Sequence, residues 1–241
     1  MKISSFLLLL IFLFACEPKS EQLTGYEETE RTDGVHKQYD ESNRLSSEVT
    51  FQNGVKNGVC KIYYSSGELS DEIMYVDDEK HGFAKKFYKN GKLYSLTPYH
   101  KGEKDGVQLK YYPNGKLWAE TPYRQGQAGI GLQEYKRDGS LRILYPNIEV
   151  QKFIKDDFIV LMLSLSNYSK NVIFYLTDLM DDQYIPFRVE AHYSKSGSVR
   201  IEIPYTHGLV LDTTLNIVAK YQTQDYNIYV SQRKYQVILN H

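Results

Sequence analysis

Along residues 34–141 apolar and polar positions return with a fixed interval of 24. One aromatic column is Tyr39, Tyr63, Phe87, Tyr111 and Tyr135, and a leucine column follows it at Leu45, Leu69, Leu93, Leu117 and Leu141. A second aromatic column is Phe51, Tyr75, Tyr99 and Tyr123, and glycines open successive units at Gly34, Gly58, Gly82 and Gly106. Runs of β-favouring residues broken by turn residues read as short, half-buried strands. Asn90–Gly91, Asn114–Gly115 and Asp138–Gly139 are preferred pairs for tight hairpin turns with positive φ at both central residues. Each unit therefore predicts a strand, a tight turn and a returning strand, with the segment Gly102 to Gly106 as a loop that starts the next hairpin. Ten strands at about 4.8 Å each give a ribbon on the order of 50 Å long. Pro98 and Pro122 cannot donate to a ladder and are expected at bulges or strand ends.

The phrase Tyr112-Pro-Asn-Gly115-Lys-Leu117, repeated in one register from Gly34 to Leu141, resembles the MORN repeat family in its variant form. The resemblance implies an elongated single-layer antiparallel sheet of stacked hairpins over 34–145. It implies no catalytic activity. Some bacterial members carry an antitoxin label, which makes an immunity-type protein that neutralises a toxin the alternative reading.

After Leu141 the register stops, and residues 146–241 read as unrelated short strands. Candidates are Ile148 to Ile154, Phe158 to Leu165, Val172 to Thr177, Ile185 to His192, Ser198 to Pro204, Leu215 to Tyr221, and Tyr226 to Leu239, the last open to being split in two. Seven short strands over this length suggest an immunoglobulin-like β-sandwich. The fold class is all-β.

At the other end, Lys2 and the apolar run Phe6 to Phe14 have the layout of a secretion signal, over residues 1–15. Leu13-Phe14-Ala15-Cys16 looks like a bacterial lipobox, which implies lipid attachment at Cys16 and a place in the cell envelope, most naturally the outer membrane. Residues 16–33 are rich in Glu and read as an acidic flexible linker.

Charge and chemistry narrow the function. A net charge of −1 argues against a nucleic-acid partner. The 2 cysteines, Cys16 and Cys60, leave no cysteine metal cluster. The histidines fall in no repeated column, and the acidic turns at Asp77-Asp78-Glu79 and Asp178 to Asp182 lack a full calcium-loop spacing. No nucleophile elbow or phosphate-cradling loop occurs. The expectation is a non-enzymatic protein with no cofactor and no metal site. The unusual count is 22 tyrosines. Tyr64, Tyr88 and Tyr112 neighbour the first aromatic column and point to the other face. They are expected to form an exposed ladder, the candidate platform for a protein or glycan partner, since Tyr supplies contact area at low entropy cost.

Overall fold

The structure is a computed structural model that describes residues 32–239 apart from 156, 168, 207 and 209. The described residues lie in one compact unit, and every regular element among them is a strand. The repeat region is a 12-stranded antiparallel sheet. Its strands are β1 Gly34–Tyr39, β2 Leu45–Gln52, β3 Val55–Tyr63, β4 Leu69–Val76, β5 Glu79–Phe87 and β6 Leu93–His100. They continue as β7 Glu103–Lys104, β8 Gly106–Tyr111, β9 Leu117–Arg124, β10 Gln127–Ala128, β11 Gln133–Tyr135 and β12 Leu141–Arg142. Strands follow one another in chain order, with β7 and β10 as short pieces on β6 and β9. The aromatic and leucine columns meet directly: Tyr39 pairs with Leu45, Tyr63 with Leu69, Phe87 with Leu93, Tyr111 with Leu117 and Tyr135 with Leu141.

The two kinds of turn are the reverse of the sequence expectation. Gly91, Gly115 and Gly139 have positive φ, but the residue before each does not. The Tyr88 amide bonds to Lys92 O and the Gly91 amide to Tyr88 O, which is a type I turn closed by a left-handed bulge residue. The Asn90 side chain instead accepts the Lys92 amide at 3.1 Å. Asn43, at φ 59, fills the glycine place in the first unit. The turns with positive φ at both positions lie at the other connectors: Asn53–Gly54, Asp77–Asp78, Lys101–Gly102 and Gln125–Gly126. Each links directly paired residues, as Gln52 with Val55 and His100 with Glu103. The segment from Gly102 is thus a two-residue hairpin turn and a strand, not a loop.

Pro98 falls between the Leu96–Leu109 and Tyr99–Lys104 pairs, and Pro122 between the Glu120–Gln133 and Tyr123–Ala128 pairs. Both prolines occupy gaps in the ladder, where a missing N–H costs nothing.

The second part is a sandwich of a 3-stranded and a 4-stranded sheet. The first holds β13 Ile148–Ile154, β14 Phe158–Leu165 and β17 Ser198–Pro204. The second holds β15 Val172–Leu176, β16 His192–Ser194, β18 Leu211–Gln222 and β19 Ile228–Leu239. Ile159, Leu161, Leu163, Phe174 and Ile217 fill the core between them. The order β13-β14-β17 against β16-β15-β18-β19 has the immunoglobulin pattern with its fourth strand moved to the second sheet. One strand expectation is corrected. Only His192 of the span Ile185 to His192 is in a strand, because Ile185 is buried against the repeat sheet instead. The last span is one continuous strand paired along β18, with nothing to split it.

The sandwich closes the end of the ribbon. Tyr123 and Ala128 share an apolar core with Tyr175, Leu179, Ile185, Val218 and Val230. The Ile130 amide bonds to Gln183 O, and the Gln183 side chain returns to Ile130 O, both at 2.9 Å.

Candidate binding face of the repeat sheet

Tyr64, Tyr88 and Tyr112 each begin a type I turn. They are half-buried rather than an exposed ladder. Their hydroxyls donate to the backbone of the following unit: Tyr64 to Phe87 O at 2.6 Å, Tyr88 to Tyr111 O and Tyr112 to Tyr135 O at 2.7 Å. The correction has a simple cause. The carbonyls at the ends of β5, β8 and β11 point toward the preceding unit, and the tyrosine one unit back supplies the donor each needs. Such a bond is worth about 1 kcal/mol net. The opposite long side is sewn in the same rhythm: the Gly102 amide bonds to Lys80 O and the Gly126 amide to Lys104 O, both at 2.9 Å.

Bulges add aromatic groups that column reading misses. The register shifts between Lys86 and Phe87 and between Lys110 and Tyr111, which leaves Tyr94 and Trp118 as the extra residues. A bulge re-aims a side chain, and these two turn onto the tyrosines. Tyr94 meets Tyr88 edge-on at 5.2 Å, and Trp118 stacks on Tyr112 at 5.3 Å. Tyr94 and Trp118 lie 6.3 Å apart, so the four rings form one patch. Lys110 Nζ lies 5.7 Å from the Trp118 ring and donates to Asn227 Oδ1 at 2.7 Å. Burial pulls the Lys110 ammonium below its ordinary pKa, Lys104 adds to the fall, and the carboxylates of Glu134 and Asp225 oppose it. Burial also raises the phenol pKa of Tyr88 and Tyr112. The buried Trp118 Nε1 has no hydrogen-bond partner among the described residues. Beside the patch, a cleft of about 310 Å³ is lined by Tyr64, Ser70, Asp71, Lys86, Tyr88 and Tyr94. The sequence signal was the bulge column itself, which reads Ser46, Ser70, Tyr94, Trp118 and so turns aromatic toward the sandwich.

A buried carboxylate stands where sheet and sandwich meet. Glu134, on β11, is fully buried. Its Oε1 accepts from Thr223 Oγ1 and Asn227 Nδ2, both at 2.7 Å, and its Oε2 from Tyr145 OH at 3.4 Å. Arg142 Nε is 3.7 Å from Oε2, and its guanidinium also pairs with Asp225 at 2.7 Å. The carboxylate thus accepts three hydrogen bonds beside a guanidinium, which suits a structural tie more than a general base. Cys60 is buried in the sheet, and burial raises its thiol pKa, the opposite of an activated nucleophile. No group of three or more His, Cys, Asp or Glu among the described residues is placed to hold a metal ion. Cys16 lies outside the described residues.

Residues 32–53, 56–77, 80–101 and 104–125 match the MORN repeat variant family, four copies in tandem. The hairpin β11–β12 keeps the same turn, with the Gly139 amide on Lys136 O, but lies beyond the matched copies. Comparison with curated proteins yields no match.

Proposed function

We propose that this chain is a non-enzymatic binding module of the bacterial cell envelope, in which the repeat sheet holds a protein or glycan partner against the patch of Tyr88, Tyr94, Tyr112 and Trp118. Lipid on Cys16 anchors it to the outer membrane, and the acidic stretch after Cys16 gives it reach. The observation that supports this reading is the aromatic patch itself. Two bulges place Tyr94 and Trp118 against the tyrosine ladder, with Lys110 at one side and an open cleft at the other. Flat rings suit sugar faces and protein surfaces alike, and they are already ordered by the ladder, so little entropy is lost on binding.

Trp118 is the only tryptophan, so its fluorescence reports on the patch directly. Titration with soluble cell-wall glycan fragments gives a saturable change for a glycan partner, and a photo-cross-linking residue in place of Tyr94 gives a discrete adduct in cells for a protein partner. Trp118→Ala removes the cross-link. Absence of both signals in the folded protein refutes the reading. The anchor is tested apart: Cys16→Ala moves the protein from the membrane to the soluble fraction.

A further inference from the structure

The ribbon ends differently at its two sides. The sandwich covers the last strands, whereas among the described residues no strand pairs with the outer edge of β1. An unpaired edge is a template for another chain, and native edges are normally blunted by proline, by bulges or by several charges. β1 reads Gly-Val-His-Lys-Gln-Tyr, with one formal charge, no proline and exposed Val35 and Tyr39.

The repeat itself says what fits there. Each later strand in the place of β1 (β3, β5, β8 and β11) has the closing strand of the preceding unit on the side that β1 leaves open. On β3, Ile62, Lys61 and Cys60 face Ser47, Glu48 and Val49 of β2. On β5, Lys86, Lys85 and Ala84 face Asp71, Glu72 and Ile73 of β4. The corresponding residues of β1 are Gln38, Lys37 and His36. The row Lys37–Glu48–Lys61–Glu72–Lys85 alternates in sign across five strands, and the next place in it, beyond Lys37, calls for an acid. Lys37 already contacts Glu48 at 3.1 Å but stays half open to solvent, at 52%.

We infer that the free edge of β1 binds an extended segment of a partner protein as an added antiparallel strand, reading Ser/Asp, then Glu, then Val/Ile, with the Glu opposite Lys37. Main-chain bonds give such an addition its affinity, and the alternating side chains give its specificity. The chain's own residues one period earlier are Leu23, Thr24 and Gly25, which do not carry the triplet. Two copies joined through this edge fit poorly. A centred antiparallel pairing with continuous sheet faces sets Lys37 against Lys37 or His36 against His36. This inference concerns the opposite end of the ribbon from the aromatic patch and does not rest on the function proposed above.

The probe is a labelled synthetic peptide with the sequence of Leu45–Gln52, titrated against the full chain by fluorescence anisotropy. Saturable binding is expected, with newly slowed amide exchange confined to the β1 amides that point away from β2. Replacing the peptide's glutamate by glutamine weakens binding about two- to fivefold, the range a cross-strand ion pair supplies. Lys37→Gln in the protein has the same effect, and the two changes together cost no more than one. The peptide changes leave the protein untouched, so a folding defect in Lys37→Gln does not rescue or sink the result. The inference is overturned if no saturable binding occurs, or if binding ignores the charge at either position. It is also overturned if the β1 amides that point away from β2 are already protected in the free monomer, or become protected only as the protein dimerises.

Discussion

Lys104 lies over the ring of Tyr123, its Nζ 4.4 Å from the centroid. The relation repeats one and two units earlier, with Lys80 over Tyr99 and Lys56 over Tyr75, each at 5.2 Å. A lysine on a phenol face is worth about 0.5–1 kcal/mol when exposed and more when dry. All three lysines are half-buried, and at Lys104 burial followed by repulsion from Lys80 lowers the pKa. The gain from the ring is therefore offset by the cost of drying the charge. Lys80→Met, which keeps the stem and removes the charge, is expected to cost about 0.5–1 kcal/mol. Lys104→Met is expected to cost less than Lys80→Met. Urea unfolding of the two variants against the parent protein checks the order.

Glycines that look alike in the repeat should differ in what they tolerate. Gly106 has φ +111, and a Cβ there would stand 2.9 Å from Cγ of Pro98, a ring that cannot turn aside. Gly91 has φ +77 with nothing within 4 Å. Gly91→Ala bears only the left-handed backbone cost, about 1 kcal/mol. Gly106→Ala adds a clash and should lose about 2–3 kcal/mol, the upper part of the range for strained sites. Thermal unfolding that ranks Gly91→Ala as the more damaging change would contradict this account of the bulge.

Much of this was legible in the sequence because equal spacing implies equal local structure. The aromatic–leucine pairing, the proline gaps and the limits of β13, β14 and β17 are all local consequences of alternation and turn chemistry. What escaped depended on neighbours in space. Asn90–Gly91 has the composition of a two-residue turn, yet the bond from Tyr88 N to Lys92 O selects the longer loop. Tyr64, Tyr88 and Tyr112 look like surface residues until the next unit's carbonyl is placed beside them. Tyr94 and Trp118 reach the patch only through a one-residue register shift, which no alternation pattern carries. Glu134 sits in the repeat where a solvated acid is the ordinary expectation, and only the arrival of Thr223 and Asn227 makes it a buried group.

Alkaline pH should undo the fold through its phenols. Burial is the leading cause of raised pKa values at Tyr75, Tyr88, Tyr99, Tyr112 and Tyr123 in the sheet and at Tyr175 and Tyr229 in the sandwich. A folded-state pKa above the unfolded value means that the native state holds its protons longer. The associated stability is complete below about pH 10 and is lost as pH rises through the folded values. Lys104, Lys110 and Lys220 are lowered by burial and work in the opposite sense, gaining stability as pH climbs toward about 10.5. The tyrosines outnumber them, so the net change is a loss. Urea midpoints should fall steeply above about pH 10, and tyrosinate absorbance should rise together with the loss of β-sheet circular dichroism rather than before it.

Glu134 ties the repeat sheet to the sandwich, and its replacement separates two kinds of stability. Its carboxylate accepts from Thr223 and Asn227 on the β18–β19 turn, while Arg142 bridges it to Asp225 on the same turn. Glu134→Ala leaves those donors buried without an acceptor and should cost about 3–5 kcal/mol, the range for breaking a buried charged pair from one side. Glu134→Gln keeps an acceptor for Thr223 and Asn227 but turns an amide toward Arg142 and Tyr145, so its cost is smaller yet still measurable. The apolar contacts of Tyr123 and Ala128 remain in both variants. Trp118 fluorescence follows the sheet, and urea unfolding read by it should coincide with far-ultraviolet circular dichroism in the parent protein. In Glu134→Ala the two curves should part, the circular dichroism, which reports sheet and sandwich together, no longer following the tryptophan signal of the sheet alone. Coincident curves at an unchanged midpoint would mean that the carboxylate contributes nothing to the junction.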